Sequence, residues 1–371
     1  MKKYSKALLI GLIISIISLA IFGITMLVKN GISGSLESQY AAERWQSDSG
    51  EVRYGQISCF IAEDAGFTFA QIPQIEQSIE TKLTEDSYAA PEGAKLFLSS
   101  GFSETEQEYS VGSVSVNART YCTGSDFFLI HPHVMTSGWY YTGDELMESG
   151  VILNEALAFK LFGGINVAGM KVTMGGRECV VLGVTSGPVS EKEKKQWTPE
   201  DPADEPCAYI SSDFSMILDP ELNVTCYELV LPNPVKDYAI QIAEECVSFP
   251  EGKIEFLQNT DRYSVINIAK NLSTSSERVI KTGTVYYPYW ENAARIADRT
   301  CVPLAFIFAI TAGVVAVYIL FVISILFINK EKLIKSGILF AGAKISEAKL
   351  KLKQIHIKKR RKDNEENNDQ A

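Results

Sequence analysis

Two long runs without a charged residue bracket the chain, one of 22 residues at 7–28 and one of 27 at 302–328. At about 1.5 Å per residue, either is long enough as a helix to cross a hydrocarbon core of about 30 Å. The first run exceeds the apolar core of roughly 7–15 residues typical of a cleaved signal. It is read as an uncleaved anchor, with a cleaved signal peptide as the alternative. Between the runs the pattern changes to short periods. Residues 54–62 (YGQISCFIA) predict a strand. Ile72, Ile75, Ile79 and Leu83 then recur at helical spacing behind Pro73. A Pro91-Glu92-Gly93 turn leads into a second strand at 94–99. The same sequence of signals returns later. Residues 223–231 (NVTCYELVL) predict a strand, and Asn233 is placed to cap a helix with Pro234 at its first position. Val235, Tyr238, Ile242 and Cys246 form its apolar stripe, and Pro250-Glu251-Gly252 turns into a strand at 253–258. Two strand–helix–strand units with one exit turn predict a split βαβ, ferredoxin-like layer.

The stretch between the two units reads differently. Residues 111–119 alternate like a half-buried strand, and 151–153 are short and apolar. Asn154 caps a helix ending at Gly163, and 170–174 with 177–184 predict a hairpin around Gly175-Gly176. Residues 190–206, rich in charge and proline, are expected as an exposed loop. The predicted fold class is an α+β extracytoplasmic domain, a split βαβ layer with a β-rich inserted lobe, set between two transmembrane α-helices. Residues 1–28 form the cytoplasmic start and first span, 29–110 with 222–262 the layer, and 111–221 the lobe. Residues 263–301 form a helical stalk running into the second span at 302–328, with a basic cytoplasmic tail at 329–371.

Charge orients this arrangement. The net charge is −10, but residues 29–301 hold 20 Lys/Arg against 39 Asp/Glu, whereas the rest holds 15 against 6. The basic ends place both termini in the cytoplasm and residues 29–301 outside, in the cell membrane. The seven cysteines show no C-x-x-C or zinc spacing and are expected to be mostly free and buried. His131-Pro132-His133 is expected as a surface turn, and residues 104–108 as an acidic loop. The aromatic group Trp139, Tyr140 and Tyr141 is assigned to packing, and Tyr286 to Trp290 either to the headgroup region or to the domain. No arranged nucleophile, base or metal set is present in sequence, so no catalytic, cofactor-binding or metal residue is expected, and no nucleic-acid partner. A membrane-anchored extracellular ligand-binding or sensor protein fits the layout as an alternative.

Residues 138–184 resemble the MacB-like core domain of FtsX-superfamily ABC-transporter permeases. The resemblance is carried by Gly138 opening GWYYT, then Leu153, Asn154 and Glu155 in VILNE. Ala158, Phe162 and Gly163 in AFKLFG, Gly169 in GMKV, and Gly183 with Val184 in VVLGV complete it. A second likeness lies after the second run. Gly337, Ile338, Leu339, Ala341 and Gly342 in SGILFAGA are similar to the family's ATPase-contacting cytoplasmic segment. A basic amphipathic helix lying on the membrane explains the same spacing. The resemblance implies a non-catalytic half-permease or accessory subunit. Its partners would be the bilayer, a separate ABC ATPase, and a full-length permease or a second copy of the chain. These 371 residues carry two of the family's expected spans and no G-x-x-x-x-G-K-[ST] loop.

Overall fold

The computed structural model describes residues 4–45, 52–90, 95–141, 149–197, 205–250, 252–264, 266–268, 281–282 and 285–328, together with residues 344 and 349. The chain divides into two compact units, one of residues 1–26 with 307–371 and one of residues 27–306. Both are entered by the two longest helices, α1 (Ser5–Ser33) and α9 (Tyr289–Ile328), each long and apolar enough to cross a membrane.

In the first unit the two helices meet along small residues. A Cβ added at Gly11 would lie 2.6 Å from the Tyr318 ring, so only glycine admits the approach. The Tyr318 hydroxyl donates to the Leu8 carbonyl at 3.3 Å, and Phe22 and Phe308 meet at 4.0 Å between ring centroids. Ser15, Ser18 and Thr25 are buried on the same seam. Leu9, Ile13, Ile24, Ile310 and Val317 stay exposed, as lipid-facing positions do.

The second unit is built on one mixed sheet. Its strands are β1 (Tyr54–Ile61), β2 (Leu98–Val111), β3 (Val114–Thr123), β4 (His133–Gly138), β5 (Gly150–Asn154), β6 (Lys171–Met174), β7 (Arg177–Pro188), β8 (Cys207–Ser211), β9 (Cys226–Pro232) and β10 (Ile254–Gln258). The helices are α2 (Ala41–Trp45), α3 (Ile72–Glu85), α4 (Phe127–Ile130), α5 (Glu155–Phe162), α6 (Glu191–Trp197), α7 (Ser212–Leu218) and α8 (Tyr238–Cys246). One half runs β10-β1-β9-β2, every pair antiparallel. This is the order of two interleaved βαβ units, with β9 between β1 and β2 and β1 between β9 and β10, as the repeat predicts. Ile57, Cys59 and Ile61 of β1 face a core shared with Ile79 and Leu83 of α3 and Ala239, Ile242 and Ala243 of α8.

The inserted residues continue the same sheet through β2-β3-β8-β5-β7-β4. β6 pairs with both β2 and β7, which closes a circuit of six strands. The β6–β7 hairpin turns at Gly175 (φ 51°) and Gly176 (φ 78°), the left-handed pair that such a two-residue turn requires.

Several expectations are corrected. Residues 104–108 lie within the 14-residue strand β2, because β3 pairs with β2 along that length and Arg119 meets Glu104 at 3.2 Å. Residues 191–197 form a helix rather than an exposed loop, since Trp197 is buried against Gly187. Helix α8 starts at Tyr238, not at Pro234, and Val235 is 63% exposed. Asn233 still accepts the Ala239 N–H at 3.2 Å. Within residues 263–301, β11 (Lys281–Thr282) pairs with β12 (Val285–Tyr286), and α9 begins at Tyr289. The turn residues 91–94 and 251 lie outside the described residues.

Candidate transmission site

The face of the sheet opposite α3 and α8 carries polar residues in strand alternation: Gln56 and Ser58 on β1, Glu228 on β9, and Glu255 on β10. It is covered by the first three turns of α9 and by the turn after β10. In that turn the Arg262 N–H donates to the Asn259 carbonyl at 3.0 Å, and Asn259 is itself tied to the Ser58 hydroxyl at 2.7 Å. The turn thereby points Arg262 at α9. Glu291, Arg295 and Asp298, four and three residues apart, share one face of that helix.

The Arg262 guanidinium is 2.7 Å from Glu291 and 2.7 Å from Asp298, and also donates to the Gln39 side-chain carbonyl at 3.1 Å. Arg295 donates to Glu291 at 2.6 Å and to Glu255 at 3.3 Å, and lies 3.5 Å over the Tyr287 ring. Arg262, Glu291, Arg295 and Asp298 are all buried, and their formal charges cancel. Charge in a dry interior is held only by such pairing. The Tyr263 hydroxyl adds a bond to the Ala294 carbonyl at 3.2 Å, beside an apolar patch of Leu36, Ala293, Ala297 and Cys301.

One turn earlier, Trp290 enters an aromatic nest. It meets Phe102 edge-on at 4.8 Å and lies 4.0 Å from the His131 ring. Its indole N–H donates to Glu228 at 3.1 Å. Tyr289 and His133 share a hydrogen bond of 2.9 Å. His131 and His133 are therefore buried packing residues, not a surface turn. Burial holds the His131 imidazole well below its ordinary pKa, with His133 and Arg44 adding to the effect, and lowers His133 to about 3. Burial raises the Glu228 carboxyl to about 7 against hydrogen bonds from Ser58, Trp290 and Gln56 that lower it.

The segment following α1 is gripped separately. Glu193 of α6 accepts the Ser38 N–H at 3.0 Å and the Ser38 hydroxyl at 2.8 Å, and Lys192 donates to the Ile32 carbonyl at 2.7 Å. Gln56 donates to the Ser38 carbonyl at 2.7 Å and accepts the Ala41 N–H at 3.0 Å. It also reaches Glu228 at 3.4 Å. One side chain of β1 thus touches both the α1 exit and the carboxylate beneath Trp290.

The residues that carried the family resemblance cluster elsewhere and build backbone geometry. Gly138 has φ 72°, and a Cβ there would lie 2.0 Å from the Leu182 carbonyl. Asn154 caps α5 by accepting the Leu157 N–H at 2.8 Å and ties β5 to β8 through the Cys207 N–H at 3.0 Å. Gly163 ends α5 in the left-handed region, Leu153 and Ala158 are buried, and Glu155 opens the helix. Phe162 packs on the core, Gly169 donates to Val181 at 2.7 Å, and Gly183 pairs with Gly138 and Ile152 beside Val184. Gly337, Ile338, Leu339, Ala341 and Gly342 lie outside the described residues. All seven cysteines are free, and only Cys246 is partly exposed. Trp139 is 65% exposed, whereas Tyr141, Tyr287, Tyr289 and Trp290 are buried in the domain.

Sequence reasoning passed over Arg262, Glu228 and Glu255. For Glu228 and Glu255 the available signal was alternation with apolar residues inside strands, which reads equally as a solvent face, whereas Arg262 stands in a turn and carries no such pattern.

No curated protein matches the chain. Among solved structures, the periplasmic region of MacB from Actinobacillus actinomycetemcomitans is similar at 14% identity and a TM-score of 0.38, over 62% of this chain and 94% of that one. The extracellular domain of the noncanonic ABC-type transporter YknZ from Gram-positive bacteria is similar at 13% identity and a TM-score of 0.34, over 52% and 90%. The MacB-like periplasmic core domain model matches residues 7–215, more than half of the chain. The chain belongs to the family of MacB-like periplasmic core domain proteins of ABC-transporter permeases, its core domain lying between two helices long enough to span a membrane.

Proposed function

We propose that this chain is a non-catalytic membrane component of a MacB/FtsX-type ABC transporter, coupling a separate ATPase to its extracytoplasmic domain. The observation that carries the reading is α9, one 40-residue helix whose outer turns are fixed to the sheet by Arg262 and by the Trp290 nest. A helix held at one end by buried ion pairs transmits displacement along its length, because the pairs resist being opened. Both termini are cytoplasmic in this reading, in line with the basic flanks of the two spans. Residues Gly337 to Gly342 are the assigned contact for the ATPase. The chain itself carries no catalytic step. The transported class is a peptide, a lipid or a lipoprotein, according to the resemblance that the sequence bears.

Purification of the full chain from native membranes in mild detergent tests the proposal. An ATPase subunit is expected to co-purify, and to be lost from a Gly337→Asp/Gly342→Asp double variant that still inserts and folds. Intact chain recovered repeatedly without an ATPase overturns it.

A further inference from the structure

Two ionisable groups, His131 and Glu228, meet the Trp290 side chain. His131 touches one face of the Trp290 ring at 4.0 Å, and Phe127 lies 4.8 Å from its own ring. It is fully buried, and among the described residues neither of its ring nitrogens has a hydrogen-bond partner. The charges facing it are Arg44, which donates to the Ile130 carbonyl at 2.8 Å, and His133. Neither is an acid, so among the described residues a proton on His131 finds no compensating charge. Glu228 lies at the other edge of Trp290, buried among neutral donors: Trp290 at 3.1 Å, Gln56 at 3.4 Å and the Cys226 thiol at 3.7 Å. The charged group that faces it from α9 is Glu291, of like sign, and the Cys59 thiol is near it on β1. Burial and the like charge of Glu291 favour a proton on Glu228 when the nest is closed, and they outweigh the hydrogen bonds from Ser58, Trp290 and Gln56, which favour the carboxylate.

We propose that the Trp290 seat is a latch with two opposed proton linkages, in which acid drives His131 to leave the seat and drives Glu228 to hold it. The two linkages act on one helix turn, so release of the outer end of α9 is buffered against external pH. The sign follows from which state binds the proton. His131 takes one up only when opened, so its contribution to closure is complete above about pH 6.5 and is lost as pH falls. Glu228 binds one more readily when closed, so its contribution grows as pH falls from about 7 towards its solvent-exposed range near 4.3. The inference stands on the domain alone and does not depend on an ATPase partner.

Backbone hydrogen exchange of residues 289–301, in the full chain in lipid nanodiscs, reads the latch. Protection factors are compared at pH 7.5 and 5.5. Glu228→Gln removes the closing linkage, so its protection falls on acidification by about tenfold more than that of the wild type. His131→Phe keeps a ring against Trp290 and removes the opening linkage, so its protection falls by about tenfold less. Wild type and both variants changing in parallel overturns the proposal. Where a variant does not fold, histidine C2-proton exchange in the unmodified protein decides. His131 is expected to titrate far below 6.5, and a titration at the ordinary value overturns the proposal.

Discussion

Arg262 gathers two carboxylates and two side-chain amide oxygens around one buried guanidinium. The net gain from such a group is small, because desolvation offsets most of the attraction. Breaking it is a different matter. Arg262→Met leaves Asp298 buried without this partner and is expected to cost about 3–5 kcal/mol in urea unfolding of the full chain. Arg262→Met/Asp298→Leu leaves Glu291 paired with Arg295 and is expected to recover much of that loss. A double variant as unstable as the single one counts against a role confined to pairing. Gly138 shows the opposite kind of constraint, set by the backbone alone. Its φ of 72° and its approach to the Leu182 carbonyl exclude a Cβ, so Gly138→Ala is expected to lose at least about 1–3 kcal/mol in the same measurement.

Among the elements, α6 joins the inserted strands to the segment after α1. Burial raises the Glu193 carboxyl to about 7, although its two bonds to Ser38 pull the other way. A carboxyl whose folded value lies above the ordinary 4.3 binds its proton more tightly in the folded state. The docked helix therefore gains stability as pH falls from about 7 towards 4.3, and loses that gain as pH rises through 7. Glu193→Gln is expected to flatten this part of the pH profile of the urea midpoint, and an unchanged profile rejects the assignment. Nothing in EKEKKQW signals the docking, since five of its seven residues are charged, one of the two that are buried is the carboxylate Glu193, and the one apolar group, Trp197, stands at the end. The sequence reading placed β1, β9, α3, α5 and the β6–β7 hairpin because their apolar periods are local. It misplaced β2 beyond residue 99, where the acidic side chains of a long strand pair with β3 and no apolar run marks them. It assigned Gln56, Ser58, Glu228 and Glu255 no role for a related reason: a polar strand face identifies itself as buried only when the element covering it is known. That element, α9, follows about 30 residues after β10 and is recognised in sequence chiefly by its span.

At the scale of the molecule, both apolar helices leave the domain from positions fixed by one strand. Gln56 bonds to Ser38 and Ala41 after α1, and to Glu228 beneath Trp290 of α9. Displacement of either outer helix end is therefore expected to strain bonds of the same residue of β1. This connection accounts for a polar amide at a fully buried position, since two of its bonds satisfy backbone groups, the Ala41 N–H and the Ser38 carbonyl. Gln56→Leu fills a similar volume and removes all three bonds. The Ala41 N–H and the Ser38 carbonyl then lose a partner, at about 1–3 kcal/mol for each unsatisfied group. If the two exits are coupled through β1, proteolysis of the full chain in nanodiscs becomes faster at both 32–41 and 286–291, although the second segment is not adjacent to Gln56 in sequence. Asn233→Leu, which removes a single bond to Ala239 on the α8 side of the sheet, serves as the control for general loosening. Faster cleavage at 32–41 alone, with 286–291 unchanged, would show that the two helix exits are held independently and that the sheet does not carry load between them.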